Sequence, residues 1–177
     1  MLKLKPPNRV KPVIGFIYSD HKVYSLTKEV LQKKIGKIDF ESRPLDFNHT
    51  DYYVQEMGLD LKRSFVSLEK LINPCNFAPI KLYCIKLEKK FSKNGKRKIN
   101  IDPGYINDYQ LVLLSTKNFF QRICLARGVY AEVTLSYQKG AFKSFEWTYP
   151  DYKTKEYQDT LLKIRNSFLE QRNENNR

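Results

Sequence analysis

The chain has 177 residues, of which 41% are hydrophobic and 14% aromatic, so it is long and apolar enough to fold around one core. This composition excludes a disordered chain, and no run reaches the roughly 18 apolar residues of a membrane-spanning helix. The 32 Lys and Arg residues outnumber the 19 Asp and Glu residues, and the net charge of +13 favours phosphate-bearing partners. We expect a single domain over residues 1–177 and no membrane partner.

Three cysteines, Cys75, Cys84 and Cys124, are odd in number and widely spaced. This pattern argues against both a disulfide framework and a zinc site. The amino-terminal residues contain no apolar stretch as long as that of a signal peptide. We therefore expect a cytoplasmic protein, and the sequence does not determine its oligomeric state.

The first third of the chain alternates between strand and helix patterns. Residues 1–11 are basic and rich in proline, which predicts an extended segment before a buried strand at 13–18. Apolar residues then recur at helical spacing, with Asp20 or Ser25 as the cap and Gly36 as the stop. Residues 38–47 form a predicted edge strand, because Pro44 cannot donate to a ladder.

Strand patterns dominate the rest of the chain. Residues 61–71 alternate in polarity and predict a half-buried strand, and Pro79 begins a helix with an apolar stripe that reaches Phe91. Thr154 is placed to cap a final helix, followed by a polar, disordered tail at 171–177. Further strands are predicted at 111–115, 122–125, 130–137 and 141–147, with hairpin turns at Arg127-Gly128 and Lys139-Gly140.

The order of these elements predicts an α+β fold. We expect one domain with a mixed, mostly antiparallel sheet, in which a ferredoxin-like β-α-β-β-α first half is extended by β-hairpins and a C-terminal helix.

Two sequence features direct attention to the stretch from 100 to 152. Asp102-Pro103-Gly104-Tyr105 has the composition of a type II turn, with Pro at its second position and Gly at its third. In the strand at 130–137, strict alternation places Glu132 on the face opposite Ala131, Val133 and Leu135. Lys117 and Arg122 are near Glu132 in sequence. We expect these three charged side chains to share one cleft with Asp51 and Asp102.

Carboxylates combined with Lys and Arg are typical of a phosphoryl or metal-nucleotide site, and equally of a structural salt-bridge network. Mg²⁺ is the cofactor that such carboxylates would hold, although the sequence does not identify metal ligands. The candidate catalytic residues are Asp51, Asp102 and Glu132. The candidate ligand-binding residues are Arg63, Tyr52, Gly104, Tyr105, Lys117, Arg122, Trp147, Tyr149 and Asp151.

Two of these candidates have a purely structural alternative. Thr50 or Asp51 is placed to cap a short helix that Gly58 ends, and Asp151 is placed to cap the last helix. The functional alternative for Asp51 and Tyr52 is a cleft beside His49. For the segment that contains Asp151, the functional alternative is that the ring of Trp147 or Tyr149 stacks on a base.

Five short runs also carry a resemblance to a known family. They are Thr50-Asp51-Tyr52-Tyr53 with Glu56-Met57-Gly58, Asn100 to Tyr105, Ser115-Thr116-Lys117, Gly128 to Leu135, and Trp147 to Tyr152. Over nearly its whole length the chain resembles a family of small prokaryotic proteins of unknown function. Members are sometimes labelled GTP-binding, which implies a nucleotide ligand. The sequence contains no G-x-x-x-x-G-K-[ST], so the label does not imply a P-loop here.

Two classes of function remain open from the sequence. One is an enzyme or binding protein for a nucleotide or another phosphate-bearing small ligand, which uses the carboxylates, Lys, Arg and Tyr. The other is a non-catalytic RNA-binding module that uses the basic surface. Glu132 discriminates between them, because a carboxylate within a binding face repels RNA phosphates but suits a metal or proton-transfer site.

Overall fold

The computed structural model describes residues 5–175. Nine strands alternate with four α-helices and with three short 3₁₀ turns at Asp51–Tyr53, Pro74–Asn76 and Pro150–Lys153. The helices are α1 (His21–Ile35), α2 (Val54–Met57), α3 (Phe77–Lys90) and α4 (Lys155–Asn175). The strands are β1 (Lys11–Tyr18), β2 (Ile38–Glu41), β3 (Leu45–Asp46), β4 (Lys62–Leu68), β5 (Ile99–Ile106), β6 (Gln110–Ser115), β7 (Ile123–Ala126), β8 (Val129–Gln138) and β9 (Ala141–Ser144).

All these strands belong to one antiparallel sheet with the order β2-β4-β1-β5-β6-β8-β7, in which β3 also pairs with β4 and β9 with β8. The part β5-β1-β4-β2, connected through α1 and α3, has the strand order of a ferredoxin-like unit. The predicted α+β class and the predicted first half are therefore confirmed. Strands β6 to β9 extend the same sheet beyond β5.

Helices cover both faces of the sheet. Helices α1 and α3 pack on the face that carries Ile14, Phe16 and Val66. Helix α4 packs on the opposite face, which carries Val13 and Phe65. Each central strand therefore contributes apolar residues to two cores, and the molecule has three layers.

Local signals in the sequence set several element ends as predicted. The Asp20 carboxylate accepts hydrogen bonds from the backbone N–H groups of Lys22 and Val23 and so caps α1, and Gly36 ends that helix. The edge strand breaks into β2 and β3 around Pro44. The Thr154 hydroxyl accepts from the first turn of α4.

The turn predicted at Asp102-Pro103-Gly104-Tyr105 is wrong, because all four residues lie within β5. A Cβ atom on Gly104 would lie 2.2 Å from the carbonyl oxygen of Val112 on the neighbouring strand. Glycine is needed here for a close approach of two backbones and not for a turn.

The strict alternation predicted for the strand at 130–137 is also wrong. Leu111 pairs with Leu135, but Val112 pairs with Val133, so β8 contains a bulge around Thr134. The extra residue places Glu132 on the same face of the sheet as Leu135.

Three element boundaries or environments differ from expectation. Strand β4 is buried nearly throughout because it lies between β1 and β2. Strand β9 ends at Ser144, since the Thr148 hydroxyl accepts from the next backbone N–H and turns the chain. The tail predicted to be disordered at 171–177 is helical to Asn175. Gln171 donates to the Glu69 carbonyl, and Arg172 pairs with the Asp108 carboxylate. Residues 176–177 lie outside the described residues.

Replacement of Gly104 by alanine tests the close approach of β5 and β6. The new methyl group meets backbone, which cannot rotate away, so we expect Gly104→Ala to destabilise the fold by at least the ~1–3 kcal/mol of an overpacked core. Gly15→Ala is the control, because its nearest neighbours are ends of side chains at 3.1–3.4 Å. Urea denaturation that shows equal losses for the two variants would contradict this account.

Candidate functional site

A cavity of about 550 Å³ lies where β5 and β6 part. The two strands share a ladder only between Gly104–Ile106 and Leu111–Leu113. On the N-terminal side of Gly104, β5 stays paired with β1, and on the C-terminal side of Leu113, β6 stays paired with β8. The sheet therefore forks, and residues of both strands line the space between its arms.

Three connecting segments wall the cavity on the α4 side of the sheet. One is the segment at Thr50–Tyr53, whose first turn is capped by the Thr50 hydroxyl. The second is the loop Ser115–Lys117 that follows β6, and the third is the turn at Tyr149–Tyr152 that precedes α4. Two rings, of Tyr52 and Tyr149, are 58% and 45% exposed at the rim.

Arg63 of β4 lies at the floor of the cavity and is only 3% exposed. Its Nη2 donates to the Asp151 carboxylate at 2.9 Å, and its Nη1 lies 3.7 Å from the Asp102 carboxylate. Gly15 leaves room for this guanidinium, since a Cβ there would lie 3.1 Å from Nη1. The rings of Phe47, Phe65, Tyr152 and Tyr157 surround the guanidinium carbon at 5.2–5.9 Å.

The guanidinium of Arg63 keeps its charge in this environment. Burial lowers its pKa, but the negative charges of the Asp151 and Asp102 carboxylates act in the opposite direction, and the pKa is raised overall. Burial also raises the pKa of Tyr152, so its hydroxyl is neutral. Two donor atoms of Arg63, Nε and Nη1, are buried and have no hydrogen-bond partner among residues 5–175, and the same holds for the Tyr152 hydroxyl.

A second network joins Arg122 and Glu132 at one side of the cavity. Arg122 Nε donates to the Glu132 carboxylate at 2.7 Å, and both side chains are nearly fully buried. The Nη2 atom donates to the Tyr149 hydroxyl at 2.6 Å, and Nη1 donates to the Lys117 carbonyl at 2.9 Å. The bulge in β8 makes this network, because it turns Glu132 toward the cavity.

Helix α3 contributes a third set through the gap between β5 and β6. Lys81 Nζ donates to the Ile101 carbonyl at 2.8 Å and lies 3.3 Å from the Asp102 carboxylate. Glu88 accepts from the Ile101 backbone N–H at 2.7 Å. Burial raises the pKa of Glu88, and the attraction of Lys81 opposes the shift only in part. Arg97 donates to both oxygens of Glu56 and lies 3.6 Å from Glu88.

Lys117 differs from the other cationic groups of the cavity. Its Nζ lies 4.2 Å from the centre of the Tyr52 ring and 3.2 Å from the Tyr52 hydroxyl. Within residues 5–175 it has no carboxylate partner, whereas Arg63, Lys81, Arg97 and Arg122 each have one. Lys117 is therefore the cation most available to an added anion.

The structure brings together eight of the twelve residues proposed from the sequence. They are Asp102, Glu132, Arg63, Tyr52, Lys117, Arg122, Tyr149 and Asp151. His49 also lines the cavity, but Asp51 lies outside it, exposed at the start of the capped turn. The alternative in which Asp151 caps α4 is wrong, because its carboxylate pairs with Arg63 and the Thr154 hydroxyl accepts from the first turn of that helix.

Gly104, Tyr105 and Trp147 also lie outside the cavity. Gly104 holds the closed part of the fork, and Tyr105 packs on Phe77 under α3. The Trp147 ring stacks on Phe145 with centroids 4.8 Å apart, and its N–H donates to the Val133 carbonyl.

Lys81, Glu88 and Arg97 also line the cavity and were not predicted from the sequence. A signal for the first two was present, because they flank Cys84 at positions i, i+3 and i+7 of α3 and so share its buried stripe. Two charged residues on a buried helical stripe indicate either an ion-pair network or a site. Arg97 carried no comparable signal within its basic turn.

Among residues 5–175, no group of three or more His, Cys, Asp or Glu side chains is arranged to hold a metal ion. Each cavity carboxylate is instead next to a cationic side chain or a backbone N–H.

Removal of the Arg63 side chain tests the ion pair at the floor. Arg63→Met leaves the Asp151 carboxylate buried without its cation, and we expect a loss of about 3–5 kcal/mol in the free energy of unfolding. Adding Asp151→Asn should recover part of that loss, because the amide is neutral. Arg43→Met is the control, since its exposed pair with Glu156 is expected to contribute about 0–1 kcal/mol. Equal losses in urea denaturation for the two arginine variants would oppose this assignment.

Glu88 predicts a dependence of stability on pH. Its pKa is raised above the ordinary 4.5 in the folded protein, so the fold binds the proton more tightly than the unfolded chain does. Its contribution is therefore largest below the ordinary pKa and is lost as pH rises through the raised value. Glu88→Gln keeps the acceptor for Ile101 and removes this titration. The melting temperature of Glu88→Gln relative to wild type should rise from about pH 4 to neutral pH, whereas exposed Glu29→Gln should show no such trend.

Comparison with known proteins identifies the chain at the level of family only. The model of a family described as "Domain of unknown function (DUF4416)" matches residues 8–168 of the 177-residue chain. Searches of curated proteins and of solved structures each find no match. Within the described residues, no helix has the length and apolar character needed to cross a membrane. With nearly the whole sequence matched, the chain belongs to this family of unknown function.

Proposed function

We propose that this protein binds a phosphate-bearing small ligand, with a nucleotide as the favoured class, in the cavity between β5 and β6. The observation that carries this proposal is the Nη1 of Arg63, a charged donor at the floor of the cavity that has no hydrogen-bond partner among residues 5–175. The Asp102 carboxylate lies 3.7 Å from it, beyond hydrogen-bond distance. Buried polar groups in folded proteins almost always have a hydrogen-bond partner, and an unpaired one costs about 1–3 kcal/mol. An acceptor oxygen of a ligand would satisfy this donor.

The charge of the cavity favours an anionic ligand. Five cationic side chains line it against four carboxylates. Asp151, Asp102 and Glu132 pair with Arg63, Lys81 and Arg122, and Arg97 pairs with Glu56 and lies near Glu88. Lys117 is the cation of the lining that has no carboxylate partner within the described residues. A phosphate group on Lys117 would balance the charge without competing for a carboxylate that is already paired.

The shape and lining of the cavity favour a ligand that also carries a planar ring. Its volume of about 550 Å³ falls within the usual range of roughly 300–1,000 Å³ for small-molecule sites. The exposed rings of Tyr52 and Tyr149 at the rim offer stacking surfaces, and stacking on a base contributes about 1–3 kcal/mol. A nucleotide has the acceptor oxygens, the negative charge and the ring that these three features call for.

The proposed ligand also indicates how a metal ion would bind. Mg²⁺ usually binds one or two carboxylates together with substrate phosphates, so it would enter with the ligand. Asp102, with 28% of its side chain exposed, is the most accessible carboxylate of the cavity. A cytoplasmic location fits the three free thiols of Cys75, Cys84 and Cys124. Binding is proposed here, and a catalytic role for Asp102 or Glu132 would be additional to it.

Titration calorimetry with GTP and ATP, with and without Mg²⁺, tests the proposal. Lys117→Gln should weaken binding by about tenfold or more, because a hydrogen bond to a charged group contributes about 1.5–3 kcal/mol. The melting temperature should hardly change, since Lys117 is exposed and forms no ion pair within the described residues. Lys143→Gln, another exposed lysine outside the cavity, is the matched control.

Comparison of ligands separates the parts of the proposal. Guanosine and adenosine should bind much more weakly than their triphosphates, because they lack the group that meets Lys117. Pyrophosphate should bind more weakly than the triphosphates, because it lacks the ring. If no nucleotide binds, or if Lys117→Gln and Lys143→Gln behave alike, the site does not take a phosphate-bearing ligand in this way.

A further inference from the structure

A strongly basic surface lies on the side of the sheet away from α4. The exposed charged residues of α1, α3 and the turn that follows α3 are eight lysines and one glutamate, Glu29. On α4 the exposed charged residues are two lysines and four carboxylates. Among the described helices, the exposed positive charge is thus concentrated on α1, α3 and the turn after α3, and not on α4.

A groove of about 390 Å³ lies at one end of this face, between the last turn of α1 and the first turns of α3. Arg9, Lys34 and Lys70 reach it from three separate segments, and its lining contains no acidic residue. None of the three has a carboxylate partner among residues 5–175. A hydrogen bond of 3.1 Å to the Leu71 carbonyl holds the Arg9 guanidinium in place.

The composition of the face favours nucleic acid over a membrane as the partner. An interfacial membrane helix needs a broad exposed apolar face. On α1 and α3 the one large apolar side chain that is exposed is Leu26, at 42%. Unpaired basic side chains on a surface without a broad exposed apolar face are the pattern that meets a phosphate backbone, where binding gains from release of condensed counterions.

We propose that the α1–α3 face binds nucleic acid through its phosphate backbone, with the groove of Arg9, Lys34 and Lys70 as the central contact. This surface is separate from the cavity between β5 and β6, and the proposal does not depend on the proposed ligand of that cavity. Contacts made only to phosphates do not distinguish one base sequence from another. Binding is therefore independent of sequence and about equal for RNA and DNA of the same sequence.

Fluorescence anisotropy with a labelled single-stranded RNA, and with DNA of the same sequence, tests this inference in the 177-residue chain. The variant Arg9→Gln/Lys34→Gln/Lys70→Gln should bind at least about tenfold more weakly at low salt. The slope of its log affinity against log salt concentration should be less negative by about 2, because each of the three lost phosphate contacts contributes about −0.7 to that slope on a single strand.

The control carries an equal loss of charge elsewhere. Lys139, Lys143 and Lys163 are exposed and lie outside α1, α3 and the groove. Lys139→Gln/Lys143→Gln/Lys163→Gln should stay within about twofold of wild type. Thermal melts check that both triple variants fold, as expected for changes at exposed positions.

Three results would overturn the proposal. The first is absence of oligonucleotide binding by the wild type. The second is an equal loss in both triple variants, which would mean that net charge and not this face attracts the strand. The third is tight binding of vesicles rich in anionic lipid with weak binding of the oligonucleotides, which would make the face a membrane-binding surface.

Discussion

The fold depends most on the placement of one buried positive charge, the guanidinium of Arg63. A charge removed from water is tolerated only with a close counter-charge and further stabilisation, here the Asp151 carboxylate and a ring of four aromatic side chains. Arg63 belongs to the ferredoxin-like half, and Asp151 to the segment that leads into α4. The ion pair therefore ties the two halves together at the point where the cavity forms.

The cavity exists because two strands are irregular. A regular ladder between β5 and β6 would close the sheet, and strict alternation in β8 would turn Glu132 toward α3. Pairing with β6 instead stops at Gly104, and the bulge near Thr134 reverses the side on which Glu132 emerges. Local departures from ideal strands, each costing some stability, are what place charged side chains together.

The sequence allowed prediction of features that depend on neighbouring residues. Asp20, Gly36 and Pro44 act within a few residues, so the ends of α1 and the broken edge strand followed from them. Gly104 could not be interpreted this way, because its role comes from a strand that lies close only in the folded protein. The side on which Glu132 emerges depends on a bulge, which no periodicity reveals. Six of the nine charged residues of the cavity were foreseen, but Lys81, Glu88, Arg97 and the individual ion-pair partners were not.

The bulge in β8 makes the site sensitive to the length of the chain as well as to its chemistry. Deletion of a single residue near Thr134 would restore strict alternation and carry Glu132 to the opposite face, although no residue of the cavity would have changed. Arg122 would then lose its carboxylate, and Tyr149 would lose a donor, the Arg122 guanidinium, that Glu132 holds in place. A relative that keeps every charged residue but lacks this one position would therefore keep the composition of the site without its geometry.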